Sequence, residues 1–578
     1  MMSKPALLAV VLPLTFTSAF AAVQVIPEAQ LDLKLMRSNQ SKYVLKDAKG
    51  NFLEKMLNAT TPENWFNLSP SQGVEGARTE ETYERFGMPV SEDIIVAVVD
   101  SGVDVNHEDL QGNIWINQGE IADNGIDDDQ NGYADDVFGW NFIGGKDGQA
   151  KIEKDETLKN GIRLVKGAPE AQTSADTLEL TRELVRMKKL KAYVEDLGEE
   201  LTAAQVAYLQ KLSDEIAAAR AEAKEVVATY TGHLENYKKL EATLRAAGLM
   251  SMTVEAVREF TSEDPAVAEA KAGMLQMLTS NMSEARLQRV LKSYGDQLKY
   301  YYNESFDPRS IVGDNYADHT EKSYGNNDVI GPDSSHGTHV AGSIAAVRDN
   351  GIGIKGVATK VKIMAVRVVP NGDERDKDVA NGIRYAVDNG AKIINMSFGK
   401  AYSPTKKVVD DAMRYAESKG VLLVHAAGND NKDNDLLPSY PSRFDKKEGR
   451  EFKNWLEICA TSFKKGPSLP AVFTNFGKKT VDFCAPGVNI YSATPNNTYG
   501  VKSGTSMAAP TVAGVAALTL SYSPEMDAEA LKALLIDTSR RYPQLKVNVP
   551  GTENTVLFGK LSTYGSIVDA FEAASAIH

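Results

Sequence analysis

The chain has 578 residues, 42% of them hydrophobic and 25% charged, and a formal net charge of -14. That is ordinary globular composition, long enough for one large core or several smaller ones. The acidic balance argues against a general nucleic-acid binder or an anionic-membrane binder, and no run beyond the N-terminal segment is apolar for long enough to span a bilayer.

The first residues read as an export signal. Lys4 supplies the positive start, an apolar stretch runs over 5–17, and Ala19-Phe20-Ala21 predicts cleavage after Ala21. The alternative, a membrane anchor, needs a longer stretch and one without Pro13. A polar leader occupies 22–80. From Asp93 the texture changes: Ile94-Ile95-Val96-Ala97-Val98-Val99 is an apolar, β-branched run that predicts a buried strand with Asp100 at its carboxyl end. In open α/β sheets, ligands and reacting groups gather at such ends.

A second motif lies in the run 127–136. Asp127, Asp129 and Asn131 share the spacing of the first half of an EF-hand loop, with Gly132 placed for the sharp turn and Asp135 offering a further carboxylate. The twelve-residue pattern is incomplete. The expectation is a structural calcium loop, set against a solvated acidic turn.

Residues 151–305 read as an insertion. From about 175 to 302 the chain is rich in Ala, Leu, Glu, Lys and Arg and poor in Gly and Pro. Thr202 is placed to cap a helix running to about 247, which would be roughly 69 Å long at ~1.5 Å per residue. Asp264-Pro265 and Ser283 mark two further helix starts. Leu201, Tyr208, Leu209, Leu212, Ile216 and Ala219 form an apolar stripe. The helices either pack on themselves as a hairpin or bundle, or form a coiled coil that holds a partner.

From His336 strand and helix alternate. Strands are predicted at 361–369, 393–397 and 421–427, and helices at 377–389, 406–418, 508–520, 527–537 and 566–576. That rhythm predicts an α/β fold, a doubly covered and mainly parallel sheet, with an inserted α-helical subdomain. Cys459 and Cys484 both sit in strand-like context, as a disulfide or as buried free thiols.

Three segments carry the chemistry: Val98-Val99-Asp100-Ser101-Gly102, His336-Gly337-Thr338-His339-Val340-Ala341-Gly342 and Gly504-Thr505-Ser506-Met507-Ala508-Ala509-Pro510. A serine hydroxyl needs a base within hydrogen-bond reach, histidine can take and return the proton, and a carboxylate fixes the histidine tautomer. In this order and with these neighbours the chain resembles the subtilisin family (subtilases) over roughly 93–145 and 306–576. The resemblance implies Ser506 as nucleophile, His336 as general base and acid, and Asp100 as orienting carboxylate. It implies an oxyanion donor at Asn429, beside the Ser506 N–H, and substrate pairing along Ser397-Phe398-Gly399. His339 is then a packing residue rather than half of a metal pair, and His425 a buried, hydrogen-bonded one. Asp109 with the Asp349-Asn350-Gly351 loop resembles a second calcium site of many subtilases, in a loop one residue longer than usual. No metal is needed for the hydrolysis itself.

The acids Asp373, Glu374, Asp376, Asp378 and Asp430 form either a rim favouring basic substrates or a solvated loop. The region between Asp100 and His336 is far longer than is usual in the family, and the leader does not resemble a typical subtilase folding propeptide. The reading is therefore an exported serine endopeptidase, periplasmic or extracellular, acting on protein or peptide substrates. Its insertion gates the cleft, contacts a partner or stabilises the domain. The expected organisation is a signal peptide at 1–21, a leader at 22–80, catalytic parts at 81–150 and 306–578, and the insertion at 151–305. A catalytically silent peptide- or partner-binding scaffold is the alternative, which an intact triad with Asn429 disfavours.

Overall fold

The structure, a computed structural model, describes residues 61–167 and 178–578. The expected signal peptide and most of the leader lie outside the described residues. Nine strands form the central sheet: β1 (Ile94–Asp100), β2 (Gly139–Asn141), β3 (Val361–Arg367), β4 (Ile393–Met396), β5 (Leu422–Ala426), β6 (Trp455–Thr461), β7 (Phe483–Pro486), β8 (Arg540–Arg541) and β9 (Ser566–Ile567). Their order is β8-β9-β7-β6-β5-β4-β1-β3-β2. Every pairing is parallel except that of β8 with β9 at the edge.

β1 is buried on both faces because its side chains alternate between two cores. Val96 and Val98 join one apolar cluster with the helices α7 (Ser335–Ala345), α10 (Thr505–Tyr522), α11 (Ala528–Asp537) and α12 (Ala570–Ser575). Ala97 and Val99 join the other with α8 (Asp376–Asp388) and α9 (Lys406–Ser418). The chain before β1 is part of this body, with Trp65, Phe66, Val74 and Ala77 in the first core. Trp65 and Phe66 are fully buried, the Trp65 indole donates to the Val488 carbonyl, and α1 (Thr79–Phe86) follows.

Residues 151–165 form an antiparallel hairpin, Lys151–Lys154 with Ile162–Val165, whose Ile152 and Leu164 sink into the first core. The helical arm begins after it: α2 (Glu179–Asp196), α3 (Ala203–Ala246), α4 (Val254–Glu259), α5 (Pro265–Thr279) and α6 (Glu284–Asp296). Thr202 caps α3 as expected, in a reciprocal capping box with Gln205, and Asp264 caps α5 through the Ala266 N–H. α3 has 44 residues, about 66 Å at ~1.5 Å per residue. The arm packs on itself: Tyr237, Leu244, Val257, Met274 and Leu287 close its far cluster. Its root packs on the main body, where Leu184, Met187, Leu212 and Ile216 surround Tyr402, whose hydroxyl donates to Glu215 at 2.8 Å.

Candidate active site

Asp100 ends β1 and is 1% exposed. One carboxylate oxygen, Oδ1, accepts from the His336 ring at Nδ1 (2.7 Å) and from the Ser101 N–H (2.7 Å). The other is buried with no partner among the described residues. The Nδ1 proton so held leaves Nε2 of His336 as the basic nitrogen. His336 is the second residue of α7, and two glycines allow that helix to approach the strand end. A Cβ on Gly337 would lie 2.1 Å from the Gly102 carbonyl, and Gly102 itself has φ +125°. Arg367 pairs with Asp100 in register on β3, and its Nε steadies the Ser101 carbonyl at 2.9 Å.

Ser506 is the second residue of α10, so the free N–H groups of that helix start surround it. Its hydroxyl donates to the Ser397 carbonyl at 3.0 Å, and among the described residues no hydrogen bond joins it to His336. In return the Ser397 hydroxyl donates to the Ser506 carbonyl at 2.9 Å. That carbonyl is available because Pro510, four residues on, has no N–H to give it.

Asn429 follows β5 and Gly428, whose φ of +107° makes the turn. Its Oδ1 accepts from the Thr505 N–H (2.8 Å) and hydroxyl (3.1 Å), which turns the Nδ2 donor to the other side of the carboxamide. The Thr505 hydroxyl also accepts from the Gly428 N–H at 3.1 Å. Gly428 cannot carry a side chain, since its Cβ would meet Asn475 at 2.4 Å. Ser397, Phe398 and Gly399 leave the end of β4 beside Ser506. Gly399 is exposed, and Lys400 after it exchanges backbone hydrogen bonds with Tyr440.

His339 is fully buried. Its Nε2 faces the Ile490 and Gly500 carbonyls, and burial pushes its pKa down to about 3, so it is a neutral donor of the interior. His425 is buried on β5, with Nδ1 on Glu457 at 3.0 Å. Cys459 and Cys484 are in register on β6 and β7 and form a disulfide.

The acidic segment beside the cleft does not form a solvated rim. Asp378 takes both ends of the Arg309 guanidinium and the Tyr324 hydroxyl, and Asp376 pairs with the buried Lys400 at 2.7 Å. Glu374 is buried, and burial pushes its carboxyl up to about 8. Asp430 pairs with Lys432. The expected bias toward basic substrates therefore loses three of its five carboxylates to the interior.

In the first acidic loop, carboxylate oxygens of Glu120, Asp127 and Asp129 lie within 4.8 Å of one another. Glu120 was not expected. It lies outside the sequence motif and is folded back by bonds from the N–H groups of Asp128, Asp129 and Asp135. The Asn131 side-chain oxygen accepts from the Tyr133 N–H, and the Asp135 carboxylate accepts from those of Asn124 and Gly125. Asp109 is buried, accepting from the Asn350 amide and the Ile354 N–H, whereas Asp349 pairs with Lys355 at 3.1 Å.

Comparison with known proteins decides the family. The sequence pattern of the subtilase family matches residues 91–560. The chain belongs to the subtilase family. It is a subtilisin-like serine endopeptidase. Thermitase of Thermoactinomyces vulgaris is 36% identical over 263 residues, 44% of this chain and 85% of thermitase. The major intracellular serine protease of Bacillus subtilis (strain 168) is 37% identical over 219 residues, 37% of this chain and 63% of that protease. A solved protease structure from Pseudoalteromonas arctica PAMC 21717 aligns at 30% identity over 44% of this subtilase and 78% of that chain, with a TM-score of 0.36. Among the described residues, no helix of this subtilase is long and apolar enough to cross a membrane.

Proposed function

We propose that Asp100, His336 and Ser506 are the triad through which this subtilase, exported to the periplasm or the extracellular space, hydrolyses peptide bonds in proteins. The observation that carries this is the 2.7 Å bond from His336 Nδ1 to the buried Asp100 carboxylate, made beside a helix start that presents Ser506. When substrate lies along Ser397–Gly399, the Ser506 hydroxyl rotates from the Ser397 carbonyl to His336. His336 Nε2 takes its proton as Oγ attacks the scissile carbonyl. The Ser506 N–H and Asn429 Nδ2 receive the developing oxyanion. His336 then protonates the departing amine, leaving an acyl-enzyme on Ser506 that water hydrolyses by the reverse proton transfers. Asp100 holds the imidazole and stabilises its charged form throughout.

Export rests on the residues before Ala21, and the disulfide suits an oxidising compartment. The organisation proposed is a signal peptide at 1–21, a leader at 22–80, catalytic parts at 81–150 and 306–578, and an insertion at 151–305. Calcium is proposed as a structural ion on Asp127 and Asp129 with Glu120, hard oxygen ligands that suit it. Bound there, it would tie the loop together and take no part in the chemistry. Labelling with a fluorophosphonate probe tests the catalytic reading: the parent protein is labelled and Ser506→Ala is not. A folded parent that stays unlabelled would sink it.

A further inference from the structure

The segment Ser397–Gly399 runs on through residues 400–403 into the root of the helical arm. Lys400 is buried, and its ammonium donates to the Glu374 carbonyl at 2.6 Å and pairs with Asp376 at 2.7 Å. It also lies 3.9 Å from the carboxylate of Glu179, the first residue of α2. Two residues on, the Tyr402 ring packs against the apolar cluster of α2 and α3, and its hydroxyl donates to Glu215 on α3 at 2.8 Å. The Ser403 hydroxyl then donates to Asp376 at 2.9 Å.

The arm also reaches the loop after β3, where Arg182 of α2 donates to the Asp373 carbonyl at 3.4 Å. β3 and β4 flank β1, which ends in Asp100. The arm's root therefore fastens the two loops that leave the sheet on either side of that strand.

We propose that the root of the arm is a strut for the substrate-pairing edge, and that Tyr402 is the positioning residue through which it acts. The inference rests on the peptidase reading, with substrate paired along Ser397–Gly399. Tyr402 lies three residues beyond Gly399, at most about 11 Å of extended chain, so a loosened Tyr402 loosens the edge. Pairing with an extended peptide needs backbone N–H and C=O groups already in place. An edge that must be ordered by the substrate subtracts that entropy from binding. The loss falls equally on the ground state and the transition state, so KM rises while kcat holds. A small ligand that reaches only Ser506 does not feel it.

Two measurements test this on the full chain: KM and kcat for an internally quenched extended peptide, and the second-order rate of Ser506 labelling by a small fluorophosphonate. Tyr402→Ala is expected to raise KM about tenfold with kcat little changed, and to leave the labelling rate within about twofold of the parent's. Tyr402→Phe and Glu215→Ala each remove the same hydrogen bond. Each should raise KM about threefold, and the double variant should raise it no further. An unchanged KM in Tyr402→Ala, or a labelling rate that falls in step with kcat/KM, overturns the proposal. If Tyr402→Ala does not fold, Tyr402→Phe, Glu215→Ala and their double variant decide, and strict additivity or parental KM values overturn it. A labelled parent whose variants keep its KM refutes this inference alone, and a folded parent that stays unlabelled refutes the peptidase reading with it.

Discussion

Ser397 and Ser506 hold each other twice, hydroxyl to carbonyl in both directions, at 2.9 and 3.0 Å. The pair ties the start of α10 to the end of β4, and Pro510 creates the opening by leaving the Ser506 carbonyl without its helical donor. Ser397→Ala removes that carbonyl's partner and is expected to cost about 1 kcal/mol or somewhat more. Adding Pro510→Ala supplies the missing N–H. The double variant should therefore lose less than the sum of the two single ones. Urea unfolding of the four proteins measures it, and strict additivity would refute the coupling.

Asn429 has two separable duties, since its oxygen anchors Thr505 and its nitrogen is the proposed oxyanion donor. Asn429→Asp keeps the acceptor and removes the donor. Its kcat should fall about 10²–10³-fold with KM little changed. A comparable fall in binding of an inert substrate analogue would assign Asn429 to ground-state binding instead.

Calcium should raise the unfolding temperature. With calcium at about 100 times its dissociation constant, a single site adds about 2.7 kcal/mol. Asp129→Asn should lose most of that increment while keeping the melting temperature of the chelated parent. Equal melting of the parent with and without chelator would exclude a stabilising ion in this loop.

Glu374 gives a pH signature. Burial, opposed by Lys400, holds its folded pKa at about 8. An unfolded glutamate titrates near ~4.3. Below that value both states carry the proton and the stabilisation is whole. Between there and about 8 the unfolded chain releases a proton the folded chain keeps, so stability falls as pH rises. Glu374→Gln cannot titrate, and its melting temperature should fall less than the parent's from pH 5 to 8. Parallel curves would remove Glu374 from the account.

Much of the catalytic body was legible in the sequence because its signals are local. The β-branched run before Asp100, the three motifs around Asp100, His336 and Ser506 and the caps Thr202 and Asp264 all carry their meaning within a few residues. What was not legible depends on distant partners. Glu120 lies outside the 127–136 motif and is recruited by backbone folding. The acids after Val369 look like a surface loop until Arg309, Tyr324 and Lys400 arrive from elsewhere to bury them. The 151–165 hairpin was hidden because each strand offers the core a single apolar residue, Ile152 or Leu164. The disulfide was undecided because pairing required the register of β6 on β7.

The strand order has a consequence for biosynthesis. β1 is flanked by β3 and β4, both encoded beyond the helical arm, and Asp100 meets its histidine 236 positions later. During translation this two-faced apolar strand emerges without either neighbour and waits, edges bare, while the arm is made. Such an intermediate exposes sticky backbone and side chains and depends on late, long-range closure. The same delay keeps the proposed triad from assembling until most of the polypeptide exists, so the nascent chain carries no working cutter while it is most vulnerable to one.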